Sequence, residues 1–206
     1  YLEFDHIIDP FQSITYNATG DSYLVNVTTQ TSFSHLTVDT SDDVYLSFDG
    51  DGDSVEASLY NFINATGTYS VSVWVYPKTS SRMQIYENSL GASDRNCIDV
   101  SSNTARFGYY TGSWTSASGS VNQDQWNHLI GTYDGTTLKL YIDGVLQVGT
   151  TATYCAAEGS FLMGRNGCAG CDYDYFNGSI DELRVYNRTI TLAEVLEINS
   201  SGRVAN

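Results

Sequence analysis

The sequence contains little positive charge, little proline and no long apolar segment. Lys and Arg supply 9 residues against 24 Asp and Glu, which gives a formal net charge of −15. A chain with this balance repels a phosphate backbone, which excludes nucleic acid and anionic membrane as expected partners. No apolar run approaches the ~18 residues of a membrane-spanning helix, and no basic segment followed by an apolar one opens the chain. The start at Tyr1 rather than Met is consistent with a removed signal peptide.

Helical periodicity is almost absent before residue 190, and only Pro10 and Pro77 punctuate the chain. Short alternating runs bounded by Gly, Asp, Asn and Ser recur instead, which is typical of an all-β protein. The chain of 206 residues is long enough for one large β domain. The predicted strands span residues 23–27, 44–48, 70–76, 83–86, 105–109, 126–133, 138–142, 160–163 and 178–186.

Two Asp-Gly pairs, Asp134-Gly135 and Asp143-Gly144, predict tight turns, because glycine accepts the positive φ that such turns need. They define a β-meander over residues 126–148. To within one register step, its predicted inward side chains are Trp126, His128 or Leu129, Ile130, Leu138, Leu140, Ile142 and Val145. We expect Trp74 and Trp126 to be core residues and assign His128 no chemistry.

The segment Thr191-Leu-Ala-Glu194 matches a capping box, in which the Thr hydroxyl and the Glu carboxylate each bond the other residue's backbone N–H. It predicts one short helix over residues 192–198. Leu192, Val195 and Leu196 would form an apolar stripe that packs on the strands.

The cysteines and the glycosylation triplets both favour an extracellular or cell-surface location. Four cysteines allow two disulfides in three connectivities, of which we favour Cys97 with Cys155 and Cys168 with Cys171. A metal or redox role for the Cys168-x-x-Cys171 pair is the alternative. Asn-x-Ser/Thr triplets, which predict surface glycans in a secreted protein, begin at Asn17, Asn26, Asn64, Asn177, Asn187 and Asn199.

The composition changes near residue 43. Residues 1–43 are rich in Thr, Ser and β-branched residues, and we interpret them as a β-prone N-terminal extension or arm. Residues 44–206 would form the main domain.

Four segments within this domain resemble, in the correct order, the laminin-G-like family of concanavalin-A-like domains. They are YLSFDGDGDSVEA, YSVSVWVYP, DQWNHLIGTYDGTTLKLYIDGVLQ, and FLMGRN followed by FNGSIDELRVYNRTIT. The resemblance implies a two-sheet antiparallel jelly-roll sandwich, the fold that pentraxins and legume lectins share.

The resemblance also implies a structural Ca2+ between the acidic turn and the Ile-Asp-Glu strand. In Asp49-Gly-Asp51-Gly-Asp53 the carboxylates alternate with glycines, so the backbone can curl and turn several oxygens toward one hard cation. The resemblance adds Asp181 as a side-chain ligand and Ser179 or Gly178 as a carbonyl ligand. The alternative is a solvated turn whose charge serves solubility.

Two aromatic stretches are candidates for ligand binding, because rings stack on sugars and neighbouring carboxylates and amides bond hydroxyls. The alternative for each is an ordinary exposed loop or a subunit contact. The candidate residues are Tyr109, Tyr110 and Trp114 in the first stretch, and Asp172, Tyr173, Asp174, Tyr175 and Asn177 in the second.

The sequence favours a non-catalytic binding module over an enzyme. The Glu-x-Asp-x-x-Glu pattern of glycosidases with this fold is missing, and the adjacent Asp181 and Glu182 would face opposite sides of a strand. The predicted function is adhesion to carbohydrate or to an extracellular protein, stabilised by Ca2+. The alternative is a structural subunit of an extracellular filament, sheath or coat, whose N-terminal arm adds a strand to the next copy. The arm could equally complete the sandwich of its own chain.

Overall fold

The computed structural model describes residues 3–5, 15–19, 22–26, 37–38, 45–57, 67–89, 95–152, 160–167 and 174–203. The strands before residue 90 are β1 (Glu3–Asp5), β2 (Thr15–Thr19), β3 (Ser22–Asn26), β4 (Thr37–Val38), β5 (Leu46–Asp49), β6 (Val55–Ala57), β7 (Tyr69–Pro77) and β8 (Met83–Ser89). They are followed by β9 (Arg95–Ser101), β10 (Thr104–Tyr110), β11 (Trp114–Ser120), β12 (Asn127–Tyr133), β13 (Thr137–Ile142), β14 (Val145–Leu146), β15 (Thr150–Thr151), β16 (Ser160–Met163) and β17 (Asn177–Tyr186). A helix, α1 (Leu192–Ser201), closes the described chain.

In the described part of the chain, the strands form two large sheets and a separate β2–β3 hairpin. The nine-stranded sheet has the order β14-β13-β12-β7-β17-β5-β4, with β1 added beside β17 and β15 beside β13. The six-stranded sheet has the order β11-β10-β9-β8-β16-β6. All pairs are antiparallel except β1 with β17. The predicted all-β jelly-roll sandwich is confirmed.

The core lies between the two sheets. Every second side chain of a strand points to the same face of its sheet, and one face of each sheet points into this core. In β7, Val71, Val73 and Val75 are completely buried in this core. From the facing sheet come Ile98, Val100 and Phe107, which are equally buried. Each sheet therefore keeps a second face that points away from the core.

The outer face of the nine-stranded sheet is partly covered by α1. Thr191 and Glu194 form the predicted capping box, so the helix begins where the sequence indicates. Val195 is completely buried against Ile130, Tyr141 and Tyr186 on that face. The predicted stripe is wrong for Leu192 and Leu196, which are 56% and 49% exposed, because Ile198 packs beside Val195 in their place.

The predicted meander forms, but its inward set is only partly correct. Leu129, Leu138, Leu140 and Ile142 lie in the main core. Ile130 instead faces the helix, since adjacent strand residues point to opposite faces. Two further members of the predicted set are not core residues. Val145 is 63% exposed on the edge strand β14. Trp126 is half-buried, and the central carbon of the Arg203 guanidinium lies 3.7 Å from its ring centroid. Trp74 is likewise half-buried and stacks on His128 outside the core.

Two strands of the N-terminal extension belong to the sandwich of the same chain. In β1, Glu3 lies opposite Arg184 of β17, and β4 pairs with β5. These strands extend the nine-stranded sheet. The domain boundary between residues 43 and 44 stays a prediction. Within the described residues, the one helix is too short to cross a lipid bilayer.

Candidate functional site

The outer face of the six-stranded sheet carries two of the predicted aromatic candidates, Tyr110 and Trp114. Tyr110 of β10 lies directly opposite Arg95 of β9 on one side and Trp114 of β11 on the other. Four residues away on these strands, Arg106 lies opposite Asp99. Because strand side chains alternate, all five share the face opposite to the buried Ile98 and Phe107.

Three guanidinium groups surround the Trp114 indole. Their central carbons lie 5.9 Å (Arg82), 5.3 Å (Arg95) and 5.2 Å (Arg106) from the ring centroid. The Tyr110 ring lies 5.3 Å from that of Trp114, and both aromatic side chains are half-buried. We call the set of Arg82, Arg95, Arg106, Tyr110 and Trp114 the arginine–tryptophan face. It gathers three of the nine basic side chains of a strongly acidic chain.

A buried carboxylate fixes two of these arginines. The Asp99 side chain is completely buried, and it accepts bonds from Arg106 Nε at 2.8 Å and Arg106 Nη2 at 2.5 Å. The Arg82 Nε lies 3.7 Å from the same carboxylate. The bond to Asp99 raises the pKa of Arg106, so this side chain stays cationic. The bidentate geometry holds the Arg106 guanidinium plane in one orientation beside the indole.

Arg82 joins this face to the second predicted aromatic stretch. Its Nε lies 3.2 Å from a carboxylate oxygen of Asp174, which also accepts a 3.0 Å bond from the Asn166 side chain. The Asp174 backbone carbonyl accepts a 2.8 Å bond from the Gln84 N–H. Asp174 of the second stretch therefore lies beside the arginine–tryptophan face.

The structure separates the predicted ligand-binding residues into two groups. Tyr110, Trp114 and Asp174 lie on or beside the arginine–tryptophan face. Tyr109 is wrong as a ligand residue, because its parity points it into the core, where it is 5% exposed. Tyr175 is half-buried, and Asn177, at the start of β17 in the other sheet, donates to the Asp49 carbonyl at 2.9 Å. Asp172 and Tyr173 lie outside the described residues.

The arginines of this face are the functional candidates that the sequence analysis missed. The signal was present as an alternating pattern: Arg95-x-Cys97-x-Asp99 in β9 and Arg106-x-Gly108-x-Tyr110 in β10. It was not recognised, because β9 and β11 were not among the predicted strands. Residues 114–120 lack the apolar alternation that marks a strand, since a single member, Ala117, reaches the core.

The predicted calcium set does not fit the structure as a single site. In the turn, Asp53 accepts the Asp49 N–H and Asp49 accepts the Asp51 N–H, so these carboxylates serve the local backbone. Asp181 is bound to Arg203 Nε at 3.0 Å. Asn177 is the register partner of Asp49, and Asp181 lies four residues further along β17. At ~3.3 Å per residue, the backbone of Asp181 is therefore about 13 Å along the strand from the acidic turn.

Ser179 is opposite Ser47, two positions from the turn. Among the described residues, no three His, Cys, Asp or Glu side chains are placed to hold one metal ion. Calcium binding by this chain stays a prediction.

Cys97 is a free thiol in the structure, which contradicts its predicted disulfide with Cys155. It lies opposite Glu87 and Gly108 on the outer side of β9 and is 1% exposed. Burial, with the nearby Asp99 and Glu87 charges, raises the pKa of this thiol well above its ordinary value. Cys155, Cys168 and Cys171 lie outside the described residues, so the second predicted disulfide stays a prediction.

The glycosylation triplets are distributed over both halves of the chain. Asn17 and Asn26 lie in β2 and β3, and Asn64 lies outside the described residues. Asn177, Asn187 and Asn199 are half-exposed. The Asn199 side-chain oxygen lies 3.0 Å from His128 Nδ1, so this residue takes part in the packing of the helix. Their modification stays a prediction.

The family is shown by comparison with known proteins. Residues 48–196 match a laminin G family model described as the concanavalin A-like lectin/glucanases superfamily. The chain belongs to this superfamily. A comparison with curated proteins gave no significant match.

Solved structures with the same fold include an arabinanase domain, a pentraxin and a toxin domain. Domain 4 of AbnA, a GH43 extracellular arabinanase from Geobacillus stearothermophilus solved with arabinotriose, is 21% identical, with a TM-score of 0.62 and 80% of each chain covered. The heptameric SAP-like pentraxin from Limulus polyphemus is 18% identical, with a TM-score of 0.61 over 80% of this chain and 85% of that one. The receptor binding domain of botulinum neurotoxin D is 13% identical, with a TM-score of 0.64, and 84% of this chain spans 47% of it. At these identities the likeness shows the fold.

Proposed function

We propose that this chain is an extracellular, non-catalytic carbohydrate-binding module whose ligand lies on the arginine–tryptophan face. One observation carries the proposal: Tyr110 and Trp114 lie opposite each other on adjacent strands, half-exposed, with guanidinium groups around the indole. Aromatic faces pack against the C–H face of a sugar, and the surrounding N–H donors bond its hydroxyls.

The rigidity of the face supports binding. The face is built on hydrogen-bonded strands and not on a loop: β10, which carries Arg106 and Tyr110, pairs with β9 and with β11, which carries Trp114. The completely buried Asp99 holds the Arg106 side chain in place. A ligand therefore meets side chains that are already ordered, which lowers the entropic cost of binding. The arabinotriose complex of the AbnA domain supports a saccharide as the ligand class.

Saccharide binding by the purified chain, measured by calorimetry against an oligosaccharide panel, tests the proposal. We expect at least one saccharide to bind and Trp114→Ala to weaken its binding by about tenfold or more, since stacked aromatics are worth roughly 1–3 kcal/mol. Trp74→Ala is the matched control, because Trp74 and the His128 ring on which it stacks both belong to the nine-stranded sheet, away from this face. Circular dichroism checks that both variants fold. Equal binding by wild type and the Trp114 variant would reject this face as the site.

The alternative of a filament subunit assembling through its arm has weaker support. The strands β1 and β4 of the extension pair with β17 and β5 of the same chain. An arm that completes its own sheet is not available to a neighbour without first leaving that sheet. Light scattering of the native protein separates the two functions, because a binding module remains a discrete particle and a filament subunit forms polymers.

A further inference from the structure

Arg95 differs from its two neighbours on the arginine–tryptophan face. Arg82 and Arg106 both contact the Asp99 carboxylate. The Arg95 side chain is 8% exposed, and its Nε and Nη1 atoms are buried without a hydrogen-bond partner in the described part of the chain. A buried donor that lacks an acceptor destabilises a folded protein, so such groups in native structures commonly mark a function.

Two aromatic rings flank Arg95, and within the described residues no carboxylate forms an ion pair with it. Glu87, opposite Cys97 on the same face, accepts the Gly167 N–H through Oε1. The central carbon of Arg95 lies 5.1 Å from the Tyr110 ring centroid and 5.3 Å from that of Trp114. The ring faces attract the positive charge. Rings do not supply the strong acceptor oxygens that guanidinium N–H groups require. The nearby Asp99 carboxylate already accepts two bonds from Arg106.

We propose that the saccharide bound on this face carries an anionic substituent, a carboxylate or a sulfate, which pairs with Arg95. A sugar ring stacked on Tyr110 and Trp114 brings such a substituent beside the guanidinium. Charge-assisted bonds from guanidinium to an oxyanion are among the strongest hydrogen bonds in proteins. This inference rests on the proposed function and names its ligand class.

The chain as a whole would otherwise repel such a ligand. Its net charge of −15 opposes anions at long range. Solvent screening limits the reach of the exposed acidic groups to about 8–10 Å. On the face itself, Asp99 contacts Arg106 and Asp174 contacts Arg82, so Arg95 is the arginine of the face to which the described residues give no ion pair. Short oligosaccharides with one or a few charges are for this reason the appropriate probes.

The experiment compares matched charged and neutral saccharides by calorimetry with the full 206-residue chain. One arm uses trigalacturonate and glucuronate-containing oligosaccharides against their methyl esters. The other uses galactose-6-sulfate oligosaccharides against the unsulfated forms. We expect the charged member of at least one pair to bind about tenfold more tightly, a difference of ~1.4 kcal/mol, and the arm in which this occurs identifies the anion.

Substitution of Arg95 locates the anion. Arg95→Gln should abolish the preference for the charged saccharide, so that the two members of a pair bind with equal affinity. Arg95→Lys should retain part of the preference, because it keeps the charge and loses the guanidinium geometry. Arg188→Gln is the control, since Arg188 pairs with Glu194 at the helix. A merely structural Arg95 would affect both members of a pair equally.

The outcomes separate this inference from the proposed function. If the wild-type chain binds neutral saccharides as tightly as their charged partners, the anionic ligand is overturned. If Trp114→Ala still loses binding in that case, the carbohydrate-binding function stands. No binding in either arm, charged or neutral, would overturn both. The wild-type comparison needs no variant, so a folding defect of Arg95→Gln does not weaken the test.

Discussion

The Phe107 ring lies directly on Gly131, at the point where the two sheets of the sandwich approach each other. A Cβ atom at Gly131 would overlap the Cγ and Cδ2 atoms of Phe107. Phe107 is completely buried among other core side chains, so its ring has no free space into which to move. This contact couples the strand that carries Arg106 and Tyr110 to the opposite sheet.

Gly131→Ala should therefore lower the free energy of unfolding by about 1–3 kcal/mol through overpacking. Chemical denaturation measures this change. Gly119→Ala is the matched control, because the atoms nearest to a Cβ there, at 2.6–2.8 Å, belong to the flexible, half-exposed Gln147 side chain and not to a packed core ring. That variant should lie within roughly 0.5 kcal/mol of wild type. A Gly131 variant as stable as the Gly119 variant would contradict the close packing.

His128 should make the stability depend on pH. Its Nε2 lies 2.9 Å from Ser72 Oγ and its Nδ1 3.0 Å from Asn199 Oδ1. Burial lowers the pKa of His128 from 6.5 to about 4, so the folded state holds the neutral imidazole. Between these pH values the unfolded chain binds the additional proton, and stability falls as the pH falls from 6.5 toward 4, by at most about 3 kcal/mol.

Denaturation at several pH values, with wild type and His128→Gln compared, isolates this contribution. The other histidines are present in both proteins, so their effects cancel in the difference. We expect the stability of wild type to fall more steeply with acidification than that of the variant. Parallel pH profiles would show that His128 titrates normally in the folded state.

Asp99 should matter for both stability and binding. Asp99→Asn removes the buried negative charge that Arg106 and Arg82 contact, and we expect a loss of about 2 kcal/mol, because both arginines are partly exposed and water compensates in part. Calorimetry should also show weaker saccharide binding. Glu194→Gln, which disturbs the exposed pair with Arg188, should change stability much less and leave binding unaltered. Undiminished binding by Asp99→Asn would show that the ordering of Arg106 is irrelevant.

Cys97 should be a protected thiol. Because it is 1% exposed and burial raises its thiol pKa, iodoacetamide should label it only after denaturation, without any reductant. Peptide mass spectrometry after labelling measures this at the single residue. Recovery of a Cys97 peptide linked to Cys155 would contradict the structure and restore the disulfide expected from sequence.

The elements that were predicted well are those whose signals are local. Glycines in the two Asp-Gly turns have φ values of 92° at Gly135 and 77° at Gly144, as the turns require. The Thr191–Glu194 capping box begins the helix as expected. Both signals involve residues within a few positions of one another, so the chain sequence contains all that determines them.

The arginine–tryptophan face was only half predictable for the opposite reason. Tyr110 and Trp114 were found because aromatic residues in a polar stretch stand out in sequence. Tyr109 points into the core and not onto this face. Which of the two faces it reaches depends on the strand register, and a shift of one residue reverses it. The contact of Arg82 with Asp174 depends on sheet order and loop placement, which are set by distant parts of the chain.

The sequence by itself determined the all-β sandwich, its turns and its terminal helix, since alternation, glycine placement and capping act between near neighbours. Only the tertiary structure decided which strand faces reach solvent and which charges meet. Pairing of β9 with β10 placed Asp99 beside Arg106 and left Arg95 between two aromatic rings. Such long-range pairings are selected by burial of the whole core, which no local pattern contains.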